Sequence, residues 1–382
     1  MKIRVVHSIN AFTATTGGTA TCTYDLLKAL NKRNDVQADI VVTKPAQPLM
    51  GNGEEWIQSV ENDEKTPFGI SNNLHKALMQ TDADIYHTNG LWRYCNHAPA
   101  IVARKKRKPF VLTPHGMLYP EALARSKWQK KLLRWACGDR DIREAACIHV
   151  TCEEEMQHVR ALGFTNPIAV IPNPVPESLL KESVPKAEKV TFGYLGRLHP
   201  RKKAERIIEA LALLSAEEQA QCELVIMGSG EPSYEALLRE RVERLHLSNV
   251  RFLGFVEGAE KERQLAQLHA LFVPSDFENF GMIVAEALRG GTPVFASTGT
   301  PWKILNEKAC GWWQEPTPQR MAAVMRDLLS MPSEKLKEMG ETGRSLVAEH
   351  FSDQAVAQQM KELYHWILTK QNKPSFVYEQ ES

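Results

Sequence analysis

The sequence predicts an α/β chain of two domains, each a parallel β-sheet covered by helices. Three observations carry this. The 382 residues exceed one ordinary core and fit two domains of roughly 150 residues each. From the first residues, short apolar runs alternate with helical patterns, the rhythm of strand-helix-strand units around a parallel sheet. The rhythm breaks at the proline-rich stretch Pro172-Asn173-Pro174-Val175-Pro176 and the aperiodic residues that follow, then resumes at Val190.

Taken in order, the first domain (1–180) has apolar runs at Ile3 to Ile9, Asp39 to Val42, Asp84 to His87, Phe110 to Thr113, Cys147 to Thr151 and Ile168 to Ile171. The second (188–352) has them at Val190 to Leu195, Glu223 to Met227, Val250 to Leu253, Leu271 to Pro274 and Pro293 to Ala296. A last segment, 353–370, carries Val356, Met360, Leu363, Tyr364 and Ile367 at helical spacing and needs a domain against which to bury that face. Beyond Lys370 the chain turns polar without an apolar period, so residues 371–382 are expected to be loosely ordered.

Composition narrows the function. Lys plus Arg number 47 against 46 Asp plus Glu, which gives no electrostatic case for nucleic acid. Seven cysteines form no C-x-x-C pair, and an odd number without a secretory leader fits a reduced, cytoplasmic compartment. No window approaches the roughly 18 uninterrupted apolar residues of a membrane span.

Ligands of open parallel sheets sit at the carboxyl ends of the strands, so the residues just past each run are the informative ones. Gly196-Arg197 through Lys202 puts two cations where the chain leaves a strand; this is either a diphosphate site or a solvated, basic helix start. After Leu271 to Pro274, Glu278 lies on a loop and Glu286 inside the helix that begins near Gly281. Eight residues of helix span about 12 Å, too far for a paired acid and base. That spacing suits one carboxylate on a ribose and one near a sugar, with helix N–H groups facing phosphate between them. The alternative makes Glu278 a helix N-terminal charge and Glu286 a surface residue, against which Glu286 is the only charge among Ile283, Val284, Ala287 and Leu288. Gly228-Ser229-Gly230 resembles half of a dinucleotide fingerprint but is not completed at Ser233, which reads better as a close backbone turn. In the first domain, Thr15-Thr16-Gly17-Gly18 allows backbone N–H groups to approach an anion or is an ordinary turn. His115 stands directly past Phe110 to Thr113, and Trp92 past another strand.

In this order, Gly17-Gly18, Thr113-Pro114-His115-Gly116-Met117, Ile171-Pro172-Asn173, Gly196-Arg197 through Lys202, Gly228-x-Gly230 and the Glu278-to-Glu286 spacing resemble the large family of retaining glycosyltransferases with the GT-B fold. This is family four, whose bacterial members build surface polysaccharides. The resemblance spans nearly the whole chain. It implies two Rossmann-like domains facing across a cleft, with the C-terminal helix returning to the first domain. It implies a nucleoside-diphosphate sugar as donor, no metal or other cofactor, and a glycan or lipid-linked glycan as acceptor. Arg197 and Lys202 would then bind the diphosphate, Glu286 the ribose and Glu278 the donor sugar. The backbone of Gly281 and Met282 would meet phosphate, the turn at Phe255 and Val256 would hold the base, and His115 would contact the sugar or the departing phosphate oxygen. Pro174 stands where many relatives have glycine, so Asn173 is given no role.

Rivals are a non-catalytic sugar-nucleotide binder, an epimerase or phosphorylase of the same fold, and a dinucleotide oxidoreductase, the last disfavoured by the incomplete fingerprint. Asp82-Ala83-Asp84 has the look of a metal-diphosphate pair, but it opens a strand instead of following one. Two segments are locally basic, Arg104 to Lys108 and Arg125 to Trp135, and in the second Trp128, Leu132 and Trp135 share a helical face. That face either meets the anionic inner face of the cytoplasmic membrane or is buried in its own domain with lysines outside; the second is the favoured expectation.

Overall fold

The computed structural model describes residues 2–13 and 17–380, so Thr15 and Thr16 of the first glycine loop lie outside the described residues. The chain divides into one unit of Met1–Pro174 with Asp353–Ser382, and a second of Val175–Ser352.

In the first unit the strands are β1 (Ile3–Ile9), β2 (Val36–Thr43), β3 (Ile57–Val60), β4 (Ile85–Asn89), β5 (Phe110–Thr113), β6 (Cys147–Val150) and β7 (Ile168–Val170). In the second they are β8 (Val190–Leu195), β9 (Cys222–Met227), β10 (Val250–Gly254), β11 (Ala270–Val273), β12 (Val294–Ser297) and β13 (Gly311–Gln314), and β14 (Val377–Tyr378) returns to the first. The first sheet runs β14-β7-β6-β5-β4-β1-β2-β3, parallel except for β14. Because successive side chains point to opposite faces, Val5, Ile40, Ile85 and Val111 enter one core while Val6, Val41, Tyr86 and Leu112 enter the other. The helices Gly18–Asn31 and Asp353–Thr369 close the first of these cores, the latter through Val356, Met360, Leu363, Tyr364 and Ile367. Each such fully buried aliphatic side chain contributes about 1.5–3 kcal/mol. The second sheet runs β10-β9-β8-β11-β12-β13, all parallel. Phe192, Leu224 and Phe272 face one core, and Val225, Leu271 and Val294 the other. Strand order reverses between β8 and β11 here and between β1 and β4 in the first unit, the two places where doubly wound sheets open to ligands.

Four expectations need correction. The first unit ends at Pro174, not residue 180, because Val175 is buried in the second, where its N–H donates to Phe351 O at 2.7 Å. Residues 371–380 are not loose: Val377 is buried and pairs with Ala169, and Phe376 O accepts from Val170 N at 3.0 Å. An otherwise unpaired edge of β7 is covered in this way. The strands β3 and β13 stand where no apolar run announced them. The face of Trp128, Leu132 and Trp135 is not buried; these side chains are 78%, 62% and 83% exposed.

Candidate active site

In the second unit the loops after β8 and β11 meet at the reversal of strand order and enclose a cavity of about 220 Å³. Its walls include Lys202, Lys261, Glu278, Gly281, Met282 and Glu286. Lys202 reaches it from a single 3₁₀ turn, Pro200–Lys202, opened by His199, whose ring accepts from Arg201 N. The Lys202 ammonium is paired with the Glu278 carboxylate, which also accepts from Ser275 Oγ at 2.8 Å. Glu286 lies on the helix Met282–Arg289, and Lys261, on the helix Gly258–Gln267, donates to its Oε1 at 2.9 Å. The cavity thus holds two ammonium groups, each held by one carboxylate, before the start of a helix whose first turn carries no acid. This is an environment suited to anionic oxygen. Arg197 does not join it: its side chain is exposed and outside the cavity wall, while its carbonyl accepts from Tyr194 Oη at 2.9 Å.

The glycines at 228 and 230 have a packing role. A Cβ on either would lie 1.9 Å from a carbonyl oxygen, that of Gly196 or of Leu198. Only glycine lets the loop after β9 run against the loop after β8, where Leu198 N donates to Ser229 O and Glu231 N to Leu198 O. Gly228 N also donates to Gly254 O at 2.6 Å, which fixes the turn ahead of Phe255 and Val256; the Phe255 ring is exposed.

In the first unit, buried polar groups at the carboxyl half of the sheet form one continuous chain. His149 Nε2 lies 2.8 Å from Ile171 O; a carbonyl only accepts, so this nitrogen carries the proton. The Thr113 hydroxyl must then donate to His149 Nδ1 (2.8 Å) and accept from His87 Nε2 (2.7 Å). Tyr364 Oη donates to His87 Nδ1 (2.8 Å) and accepts from His7 Nε2 (3.1 Å). Asn89 Nδ2 donates to His7 Nδ1 (3.1 Å), and its Oδ1 accepts from His115 Nε2 (3.3 Å). On this pattern His149, His87, His7 and His115 each carry a proton on Nε2, and Nδ1 of the first three accepts. Burial, reinforced by neighbouring imidazoles, pushes His7 and His115 down to about 3, and burial pushes His149 down to about 4 and His87 well below the usual range.

His115 itself sits in the left-handed region, φ 50°, a conformation costing a non-glycine residue of order 1 kcal/mol or more. It is held there by Glu155, a fully buried carboxylate that accepts from Gly116 N (2.5 Å) and Thr151 N (2.9 Å). Burial raises the Glu155 carboxyl above its usual range. Sequence reasoning missed Glu155, one of three consecutive glutamates that look like ordinary helix N-terminal charges, and it missed Lys261. Gly17 leads the helix Gly18–Asn31 as expected of an N-terminal turn, and a Cβ at Gly17 or Gly18 would meet nothing within 4 Å among the described residues.

The acidic pair lies elsewhere. Asp84 immediately precedes β4, where it accepts from Arg4 N at 3.0 Å and lies 3.7 Å from Lys108 Nζ, and Asp82 pairs with Arg4. Among the described residues, His97, Cys137 and Asp141 bring donor atoms within 4.8 Å of one another. His97 Nδ1 and Asp141 Oδ2 already meet at 2.5 Å, and Arg104 stands 3.7 Å from the other Asp141 oxygen, so a cation there would face a guanidinium.

Comparison with known proteins agrees with this architecture. Residues 16–179 match the family described as Glycosyltransferase Family 4, and residues 177–346 match Glycosyl transferases group 1. The human alpha-1,3/1,6-mannosyltransferase ALG2 is 26% identical over 49% of this chain and 47% of its own length. The D-inositol 3-phosphate glycosyltransferase of Jonesia denitrificans is 28% identical over 47% of this chain and 45% of its own. The chain thus spans about half the length of the curated relatives it matches. The crystal structure of Anabaena Alr3699/HepE in complex with UDP superposes with a TM-score of 0.73 at 19% identity, covering 96% of this chain and all of that one. The two family matches run without a gap from residue 16 to 346, and the chain belongs to glycosyltransferase family 4, with the GT-B fold.

Proposed function

We propose that the protein moves a sugar from a nucleoside-diphosphate sugar to the hydroxyl of a glycan or lipid-linked glycan acceptor, with retention at the anomeric carbon and without a metal. The setting is the assembly of a bacterial polysaccharide or lipopolysaccharide in the cytoplasm. The observation that carries this reading is the cavity at the β8/β11 reversal, with its two lysine-glutamate pairs before the helix Met282–Arg289. An entering diphosphate exchanges carboxylate for phosphate oxygen at Lys202, and Arg197, exposed at the loop, adds a planar fork as charge builds on the leaving group. Glu286 takes the ribose hydroxyls and Glu278 the sugar. His115 contacts the sugar or the departing phosphate oxygen. Retention then follows from same-face attack assisted by the departing phosphate, with no glycosyl-enzyme adduct.

The test is a thermal-shift series with UDP, GDP, ADP, CMP and NAD. A ligand present at about 100 times its Kd adds about 2.7 kcal/mol of stability, so one nucleoside diphosphate should raise the melting temperature and Glu286→Ala or Arg197→Ala should abolish the rise. A response to NAD alone would sink the reading. With the donor known, proton NMR of the product reads the anomeric configuration, and turnover in excess chelator tests the metal.

A further inference from the structure

We propose that the segment from Pro120 to Gly138 docks the protein on the surface of an anionic lipid bilayer. Three consecutive helical pieces, Pro120–Ala124, Lys127–Leu133 and the π-helical turn Arg134–Gly138, contain no buried residue. Trp128, Leu132 and Trp135, at i, i+4 and i+7, project one apolar stripe into solvent, and they are the most exposed large apolar side chains among the described residues of the first unit. An apolar stripe of this size on a soluble surface marks a contact.

The charge around the stripe selects the occupant. From Ala122 to Gly138 the chain has five cations, Arg125, Lys127, Lys130, Lys131 and Arg134, and no acidic residue. Arg134 is paired with Asp139 at 2.7 Å, and Lys130 is spent on Ala122 O and the Trp92 ring. Arg125, Lys127 and Lys131 have no carboxylate partner among the described residues. Lys131 lies 5.6 Å from the centre of the Trp128 ring, an ammonium directly beside an exposed indole. A groove of about 670 Å³ runs along the segment, lined by Leu123, Ala124 and Trp135 together with Lys127, Lys131 and the Arg134–Asp139 pair. Apolar and cationic groups side by side match acyl chain and headgroup phosphate. Indoles settle at the boundary between the two, and each cation adds attraction to an anionic leaflet. A second copy of this chain would bring the same cations against these, so self-association through this face is opposed by charge. The inference does not rest on sugar transfer, because capture by vesicles needs neither donor nor turnover.

Flotation of the full chain with phosphatidylcholine vesicles, with and without phosphatidylglycerol, tests it. Binding is expected only with phosphatidylglycerol at low salt, with a blue shift of tryptophan emission. It should fall at least ~10-fold near 1 M salt, where the Debye length is about 3 Å. Lys127→Glu with Lys131→Glu, and separately Trp128→Ser with Leu132→Ser and Trp135→Ser, should each lose at least ~10-fold in vesicle affinity. All five positions are at the surface, and an unchanged melting curve and nucleotide response confirm the fold of the variants. Failure of the wild type to float on anionic vesicles at low salt overturns the proposal. So does equal flotation by the triple variant, or a dimer in sedimentation that the triple variant dissolves while vesicle binding stays as it was.

Discussion

Tyr364→Phe removes one oxygen from the middle of the histidine chain and changes nothing else in shape. The hydroxyl is fully buried, donating to His87 Nδ1 and accepting from His7 Nε2. Without it one ring nitrogen loses its donor and the other its acceptor. Each unpaired buried polar group costs about 1–3 kcal/mol, so the variant should lose roughly 2–6 kcal/mol. No cavity contribution is added, because the ring remains. For a unit of this size 1 kcal/mol moves the melting temperature by about 2–4 °C, and the expected fall is roughly 4–24 °C. Thermal unfolding of the full chain measures it. Long-range nitrogen-proton NMR of labelled histidines reads the cause: in the wild type His7, His87, His115 and His149 should all carry the proton on Nε2. In the variant that constraint on His7 is lifted, and with it the constraint transmitted through Asn89 to His115. A fall below about 2 °C, or any of the four found with its proton on Nδ1 in the wild type, refutes the chain as derived.

Acid should destabilise the first unit early. His7, His87 and His149 are buried neutral, with folded values far below the ordinary 6.5. Between that value and about 4 the unfolded chain binds protons that the native one does not, and stability falls with falling pH by up to about 1.4 kcal/mol per unit for each imidazole. A urea midpoint unchanged between pH 7 and pH 5 would contradict this. Gly228→Ala, whose Cβ would stand 1.9 Å from Gly196 O at a φ of +124°, should destabilise the second unit by about 2 kcal/mol or more, while Ser229→Ala should be nearly silent in the same denaturation experiment. Lys202→Met and Lys261→Met should each weaken nucleoside-diphosphate binding by at least ~10-fold in calorimetry, through loss of one charge-assisted contact; an unchanged Kd excludes that lysine from the anion site. Arg289 forms a buried pair with Glu262 at 2.7 Å and also donates to Pro176 O. Arg289→Met leaves that carboxylate with only its bonds from Ser178 Oγ and Leu179 N and should cost about 2 kcal/mol in chemical denaturation.

Much of the fold was legible because the central strands of a parallel sheet are covered on both faces and read as continuous apolar runs. β5 and β8 were located to the residue for that reason. The strands that escaped, Ile57-Gln58-Ser59-Val60, Gly311-Trp312-Trp313-Gln314 and Val377-Tyr378, are the outer strands of their sheets. An outer strand pairs on one side only and is partly open to water, so no apolar run is demanded of it. At the site, the rule that ligands gather past strand ends pointed to Lys202, Glu278 and Glu286, which the structure brings to the wall of one cavity, while Asp82 and Asp84 lie ahead of β4 beside Arg4 and Lys108. That rule could not find Lys261 or Glu155, since each lies on a helix and acts through a partner distant in sequence. Nor could it find the histidine chain: His7 and His149 sit inside strands, where a polar residue gives no sign of which groups will face it.

The helix at Lys127–Leu133 shows the limit of periodicity most directly. Trp128, Leu132 and Trp135 repeat at i, i+4 and i+7, and so do Val356, Met360 and Leu363 of the C-terminal helix. One set is exposed and the other is entirely buried. The pattern specifies that a face is apolar, not what will cover it. What differs is the remainder of each segment. Asp353–Thr369 runs 17 residues without interruption and continues its stripe to Ile367, long enough to lie along a sheet. Lys127–Leu133 is entered through Ser126 in the left-handed region and runs on through the π-helical turn Arg134–Gly138 into the helix Asp139–Glu144, so the α-helical period that carries the stripe is interrupted after Leu133. All five of the cations of that region lie within ten residues, at 125, 127, 130, 131 and 134. Burying the stripe against its own sheet would bring several of them close to an apolar core, at a desolvation cost of several kcal/mol for each one left unpaired. Leaving three indole and leucyl side chains in water forfeits about 1.5–3 kcal/mol apiece, which is the smaller loss, and a surface that supplies both apolar matter and negative charge removes both.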